Sequence, residues 1–334
     1  MITRALSVLE TMRQENGLYV ASVSEGYQYI WVRDTCYSAL VHLNSHDGRY
    51  EETLRSLLNI FHSYEWKIRF HCEKRPYEAY EYIHPRYSVK TGSELTDPWG
   101  NAQNDAIGLF LFTVGMGTAR GKKILRDERD RELIALLVRY LINLEFWHDA
   151  DNGMWEENRE IHASSVGACT AGLLAVRGIV DVDWEWIKRG LTQVLSLFPH
   201  ESASKTCDLA QLSLVYPYRL LPPDMSLHVV TQVEQNLLRK LGTIRYAGDQ
   251  NYQEDGQEAQ WCLGLPWLGL SHLTLGNVKK AKSYLLWTES VMSAPGVLPE
   301  LYLGRSERPN INTPLAWAQS VYIVLYQELA ALAT

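Results

Sequence analysis

The sequence predicts an all-α protein in which six outer and six inner helices close into one α/α toroid. Three observations carry this. Apolar residues recur at helical spacing along almost the whole chain. Helices with one apolar stripe alternate with helices apolar on every side, and the first kind lies at a surface while the second belongs inside. No charge-rich linker, low-complexity tract or strong repeat interrupts the series. An open α-solenoid is the other architecture such a series allows, but its repeats would resemble one another more than these do. The alternation therefore favours a closed toroid and a single domain over residues 1–334.

The elements follow in order. Leu6, Leu9 and Met12 mark the first outer helix, and residues 35–43 the first inner one. Leu54, Leu57, Leu58 and Phe61 keep the i, i+3, i+4, i+7 spacing of the second outer helix. Residues 102–118, with Ile107, Leu109, Phe110, Leu111, Phe112 and Val114, are apolar all round. Leu133, Leu136, Leu137, Tyr140 and Leu144 form the third outer stripe, and the small apolar run 163–179 the inner helix after it. Asp183 is placed to cap an outer helix carrying Ile187, Leu191, Val194 and Leu195. Residues 208–216 and 35–43 fit the inner pattern less cleanly than the others. Val230, Val233 and Leu237 line the fifth outer helix, and Val278, Ala281, Leu285 and Met292 the sixth. Residues 259–273 and 314–332 are the nearly charge-free inner partners. Gly117, Pro222-Pro223, Gly242 and Gly276 punctuate the series. Segments 69–95 and 242–257 read as long polar-aromatic connections, which in compact domains tend to carry function.

Composition narrows the function. Lys+Arg number 32 against 39 Asp+Glu, a net charge of −7 that disfavours nucleic acid as a partner. No uncharged apolar run is long enough to predict a membrane span, and Met1–Asn16 lacks a signal-peptide apolar stretch. Cys36, Cys72, Cys169, Cys207 and Cys262 are odd in number and widely spaced, which predicts reduced thiols in a cytoplasmic protein. The histidines show no metal-ligand spacing, and there is no glycine-rich phosphate loop or Gly-x-Ser-x-Gly, so no metal or cofactor is expected. Tyr and Trp number 19 and 11 against 6 Phe. Their apolar faces and polar edges suit stacking on sugar rings, although plain packing uses them too.

Polar-aromatic segments cluster just before the inner helices: residues 27–34, 99–105, 154–157 and 299–302. In a toroid with parallel inner helices all four lie on one rim and converge on one pocket mouth. Cleaving a glycosidic bond needs two carboxyl groups flanking the anomeric carbon. One must hold a proton, which burial against an aromatic ring favours, and Glu156 beside Trp155 fits that role. The other must stay ionised and polarise a water, and Glu300 is the candidate. Asp34 beside Arg33 suits sugar hydroxyls, and Tyr27, Trp31, Trp99 and Trp317 offer stacking faces. Trp155, Asp105 and Glu157 complete this candidate substrate-binding set. Each residue also has an ordinary reading. A glutamate at a helix start complements the dipole, Arg33-Asp34 forms a structural ion pair, and Asp105 caps a helix.

Trp-Val-Arg-Asp at 31–34, Trp-Gly-x-x-Gln-x-Asp at 99–105 and Trp-Glu-Glu at 155–157 stand in the order and spacing of glucoamylase-type enzymes. The chain thus resembles glycoside hydrolase family 15. It also resembles the glucoamylase-like domain of phosphorylase kinase α and β subunits, in Asn152–Glu156, Ala163–Gly167, Leu298–Tyr302 and Trp317–Ile323. The resemblance runs from about Tyr19 to Leu329. It implies an (α/α)6 barrel acting on an α-linked glucose oligosaccharide with inversion. It implies further that Glu156 is the general acid, Glu300 the general base, and Arg33 and Asp34 the holders of the terminal glucose hydroxyls. Tyr27, Trp99 and Trp317 match pocket walls, and Arg245 an arginine lining them. One departure stands out: Leu301 follows Glu300 where glucoamylases usually carry glutamine.

Two function classes stay open, an exo-acting α-glucosidase and a non-catalytic glucan-binding or regulatory module like the kinase subunits. An α/α-toroid lyase or epimerase using a rim tyrosine is a third. The first requires Glu156 and Glu300 to face each other across one sugar-sized cavity, at the ~6.5–9.5 Å of an inverting pair.

Overall fold

The computed structural model describes residues 1–332. The elements are α1 (Ile2–Glu10), β1 (Tyr29–Trp31), α2 (Val32–Leu40), α3 (Arg49–Ser63), α4 (Glu65–His71), β2 (Arg86–Ser88), α5 (Asn104–Ala119), α6 (Glu128–Asn143), α7 (Ala163–Val176), α8 (Trp184–Leu197), α9 (Leu212–Val215), α10 (Pro223–Asn236), β3 (Gln260–Trp261), α11 (Gly264–Thr274), α12 (Val278–Ser290), β4 (Leu301–Tyr302) and α13 (Ala316–Ala331). Every expected outer and inner segment holds a helix. No helix among the described residues is long and apolar enough to cross a membrane.

Three departures have local causes. The inner segment 208–216 is a 3-10 turn, Leu209–Gln211, running into the four-residue α9. Asp208 and Gln211 close a capping box on that turn, and Tyr216 leaves it in an extended conformation (φ −139°, ψ 126°) before Pro217, which disfavours helix at the preceding residue. The connection expected from residue 69 begins later, because α4 runs to His71. Residues 259–263 precede α11 as β3 and a turn.

The chain divides into two compact units. One comprises Met1–Arg13, Tyr19–Tyr29 and Lys205–Thr334, the other Gln14–Leu18 and Ile30–Ser204. The second unit, with α2 to α8, is built on α5 and α7. Their backbones touch because Gly108 and Gly172 lack side chains: a Cβ on Gly108 would strike the Ala168–Cys169 backbone, and one on Gly172 would come within 2.5 Å of Gly108 O. Carboxylates close both helix starts. Asp151 Oδ2 accepts from the Asn104 N–H at 2.9 Å, and Glu201 accepts from the Ser164 N–H at 3.2 Å, which satisfies orphan donors and complements the dipole.

In the first unit α11 packs on α12 and α13, and α13 packs on α1. Trp267 is wholly buried and meets Trp317 edge-on at 5.7 Å. Strands β3 and β4 pair antiparallel, with Gln260 opposite Tyr302 and Trp261 opposite Leu301. Ala259, Trp261 and Leu301 form a small buried cluster there. Leu301 thus spends its side chain on packing, and this pairing fixes Glu300 at the head of β4.

Candidate active site

In the second unit, the Trp99 loop and the Trp-Glu-Glu turn are stitched together by Asn152. Its backbone N–H donates to Ala102 O at 2.6 Å, its Oδ1 accepts from the Ala102 N–H at 3.2 Å, and its carbonyl accepts from the Glu157 N–H at 2.9 Å. Gly100 approaches so closely that a Cβ there would lie 2.7 Å from Asn152 Cγ. The turn ends with Glu156 in the left-handed region at φ 64°, a conformation that costs a non-glycine residue roughly 1 kcal/mol or more.

That backbone presents the Glu156 carboxylate to three donors. Trp31 Nε1 donates to Oε1 at 2.8 Å, Trp99 Nε1 donates to Oε2 at 3.0 Å, and Arg33 Nη2 lies 3.3 Å from Oε1. Arg33 is buried, with Nη1 donating to Asp105 Oδ2 at 2.6 Å and to Gln103 Oε1 at 3.3 Å. Burial opposes its charge, but the Asp105, Glu156 and Asp34 carboxylates outweigh burial and hold the guanidinium pKa above its ordinary value. Trp31, Arg33, Trp99, Asp105 and Glu156 therefore form one connected group. Asp105 is turned to Arg33, and Asp34 is buried in the first turn of α2. Trp155 and Glu157 flank Glu156 and are half-buried.

In the first unit, Glu300 is 2% exposed. Asn310 and Asn312 both donate side-chain amide N–H to its Oε2, Asn312 at 3.0 Å. Burial pushes the Glu300 carboxyl up to about 7; the two amides and the Arg245 charge pull against it. Among the described residues no donor reaches Oε1, which stays available as an acceptor. Asn312 also donates to the Tyr252 hydroxyl at 3.1 Å, and that hydroxyl hydrogen-bonds with Tyr27. Arg245 forks onto Asp249 at 2.7 and 2.6 Å, with its guanidinium 4.7 Å from the Trp261 ring centre. Trp317 is buried in the first turn of α13.

The sequence expects burial to hold the proton on Glu156 and expects Glu300 to stay ionised. Charged and polar donors surround Glu156, and the strong desolvation falls on Glu300. Trp31 and Trp99 were expected as stacking faces, yet they also act through their N–H edges. Asn310 and Asn312, the amide partners of Glu300, are not among the residues the sequence singles out. The only available signal for them is the polar run Arg308-Pro309-Asn310-Ile311-Asn312, so soon after Glu300. No group of three or more metal-ligating side chains exists among the described residues.

Comparison with known proteins gives consistent findings. The family described as glycosyl hydrolases family 15 matches residues 2–326. An isomaltose glucohydrolase of Kribbella flavida is 26% identical over 360 residues, covering 98% of this chain and 91% of that protein. A probable phosphorylase b kinase regulatory subunit alpha of Caenorhabditis elegans is 28% identical over 310 residues, covering 75% of this chain. The match takes in 25% of that subunit, so the chain spans about a quarter of that relative's length. A wild-type glycosidase structure matches with a TM-score of 0.83 at 24% identity, covering 98% of this chain and 96% of the other. The Hormoconis resinae glucoamylase matches with a TM-score of 0.72 at 13% identity, covering 98% and 72%. These likenesses show the fold, the all-α toroid that the helix alternation predicted.

Proposed function

The chain belongs to the glycosyl hydrolases of family 15, and on that premise we propose that it is an inverting, exo-acting hydrolase that releases glucose from α-glucosides or α-glucan oligosaccharides. Residues 1–334 act in this proposal as one catalytic domain in the cytoplasm. Glu156 is the general acid and Glu300 the general base. Glu300 takes a proton from a water through Oε1 while the water oxygen attacks the anomeric carbon. Glu156 gives its proton to the glycosidic oxygen, the bond from the anomeric carbon to that oxygen breaks, and the configuration inverts. Arg33 and Asp34 hold hydroxyls of the terminal glucose, with Asp105 fixing Arg33. Tyr27, Trp31, Trp99, Trp155, Glu157, Arg245 and Trp317 shape the rest of the binding site.

The observation that supports this reading most is Glu300. Both its amide donors are on one oxygen, and its pKa of about 7 puts a base near its working pH. Leu301, where glucoamylases usually carry glutamine, packs against Trp261, and the amides that reach Glu300 come from Asn310 and Asn312.

The likeness to phosphorylase kinase subunits favours a second reading, a glucan-binding or regulatory module without turnover. Time-resolved NMR of maltotriose, isomaltose and trehalose with purified protein separates the two. Appearance of β-glucose is expected. Saturable binding with no product across the panel would overturn the hydrolase reading.

A further inference from the structure

Glu156 is held by two indole N–H groups, and one further residue touches both indoles. Arg86, at the head of β2, is 4% exposed. Its guanidinium carbon lies 3.8 Å from the Trp99 ring centre and 5.4 Å from that of Trp31. Arg86 Nη2 donates to Asp97 Oδ2 at 2.8 Å. Asp97 stands two residues before Trp99 with only Pro98 between, so the ion pair anchors the segment that carries the more exposed tryptophan. Trp99 is 38% exposed and without an anchor would be free to swing. The Val32 N–H donates to Pro85 O at 2.9 Å, which ties the residue after Trp31 to the residue before Arg86.

We infer that Arg86 is a positioning residue for Glu156, whose guanidinium, clamped by Asp97 and laid against the Trp99 and Trp31 indoles, fixes the two N–H groups that carry the Glu156 carboxylate. The inference rests on the reading of Glu156 as general acid. A cation over an indole face is attracted to it and polarises the ring, which strengthens the N–H at its edge as a donor. Packing alone does not account for this arginine. Its Nε is buried without a hydrogen-bond partner, and a buried donor left unpaired is unfavourable. An apolar side chain of similar length would fill the same space without that cost.

The test uses leaving-group dependence. Arg86→Met, Arg86→Lys and Glu156→Gln are assayed on the disaccharide that the wild type cleaves, whose departing oxygen needs a proton, and on α-glucosyl fluoride, whose fluoride needs little help. Arg86→Met is expected to lower kcat on the disaccharide by roughly 10- to 100-fold, a part of what a general acid contributes, with KM changed less than about 3-fold. On the fluoride its kcat is expected to fall less than about 3-fold. Arg86→Lys recovers only part of the rate, because an ammonium cannot lie flat on an indole and reach Asp97 together. Equal losses on both substrates, while Glu156→Gln remains selective, would overturn the inference and leave Arg86 a merely structural residue. Equal losses for Glu156→Gln itself would show that the acid assignment has failed, and the inference with it. Should Arg86→Met not fold, Asp97→Asn carries the same comparison, with the same selectivity expected and uniform loss counting against it.

Discussion

Asn312 donates its side-chain amide to Glu300 Oε2 across 3.0 Å, and its neighbour in the same loop, Asn310, donates to the same oxygen. Two donors on a buried carboxylate stabilise its charged form, each by roughly 1.5–3 kcal/mol. Asn312→Ala removes one of them. The Glu300 carboxyl is then expected to titrate about one unit or more higher, since one unit corresponds to about 1.4 kcal/mol. The acidic limb of the kcat/KM–pH profile moves up with it. An unmoved limb would separate Asn312 from the ionisation of Glu300.

In the wild type that limb is expected near pH 7, because a base must be deprotonated to act and burial holds Glu300 at about 7. Below the limb, kcat/KM falls about tenfold per pH unit. Arg245, Tyr252 and Cys262 are the other titratable or charged groups coupled to Glu300. An acidic limb near pH 4–5 would show that Glu300 is not the group governing turnover.

The same shift makes a stability prediction of opposite sense. The folded chain binds the Glu300 proton more tightly than the unfolded chain, whose carboxyl titrates near 4.5. Stability from this group is fully present below that value and is lost as pH rises to about 7. Glu300→Gln stays neutral throughout and escapes the loss. At pH 8 it is expected to exceed the wild type by about 3 kcal/mol at most in urea unfolding, while its turnover collapses. Asp151, also pushed up to about 7 by burial, contributes equally to both proteins and cancels in the comparison.

Trp99→Phe keeps an apolar ring and deletes the N–H that reaches Glu156 Oε2. The expected result is a fall in kcat of roughly 10- to 100-fold, the size of one lost hydrogen bond to a charged group, with a smaller change in KM. A change confined to KM would return Trp99 to the role of a stacking face alone.

Gly108→Ala tests the fold itself. Its methyl group would meet the α7 backbone, which cannot move aside like a flexible side chain. Overpacking of this kind costs about 1–3 kcal/mol, read as a lower urea midpoint at unchanged slope. An unchanged midpoint would mean that α5 and α7 separate easily.

The helix order was legible because each outer helix carries one stripe and each inner helix lacks charge, and both patterns survive in a linear reading. The segment 208–216 fits less cleanly because a capping box and a proline shorten it to one turn of true helix. The sequence singles out Glu156 and Glu300 through their Trp and Pro neighbours, and names Trp31, Arg33 and Trp99 without showing that they meet Glu156. Arg86 and Trp99 are 13 positions apart on different segments, and nothing in their local sequence announces a contact. Asn310 and Asn312 look like ordinary loop residues until β3–β4 pairing fixes the chain that leads to them. Trp31 and Trp99 were visible as aromatics, but which edge they present is decided by tertiary packing.

The left-handed backbone at position 156 has one more implication. Glycine would sit there without steric penalty, and asparagine nearly so. The bend itself therefore gains nothing from a side chain, and what offsets it is the set of contacts the carboxylate makes with Trp31, Trp99 and Arg33. The backbone accepts that strain to deliver one carboxyl group to three donors, so exchanging Glu156 for alanine would keep the strain and forfeit every contact that offsets it.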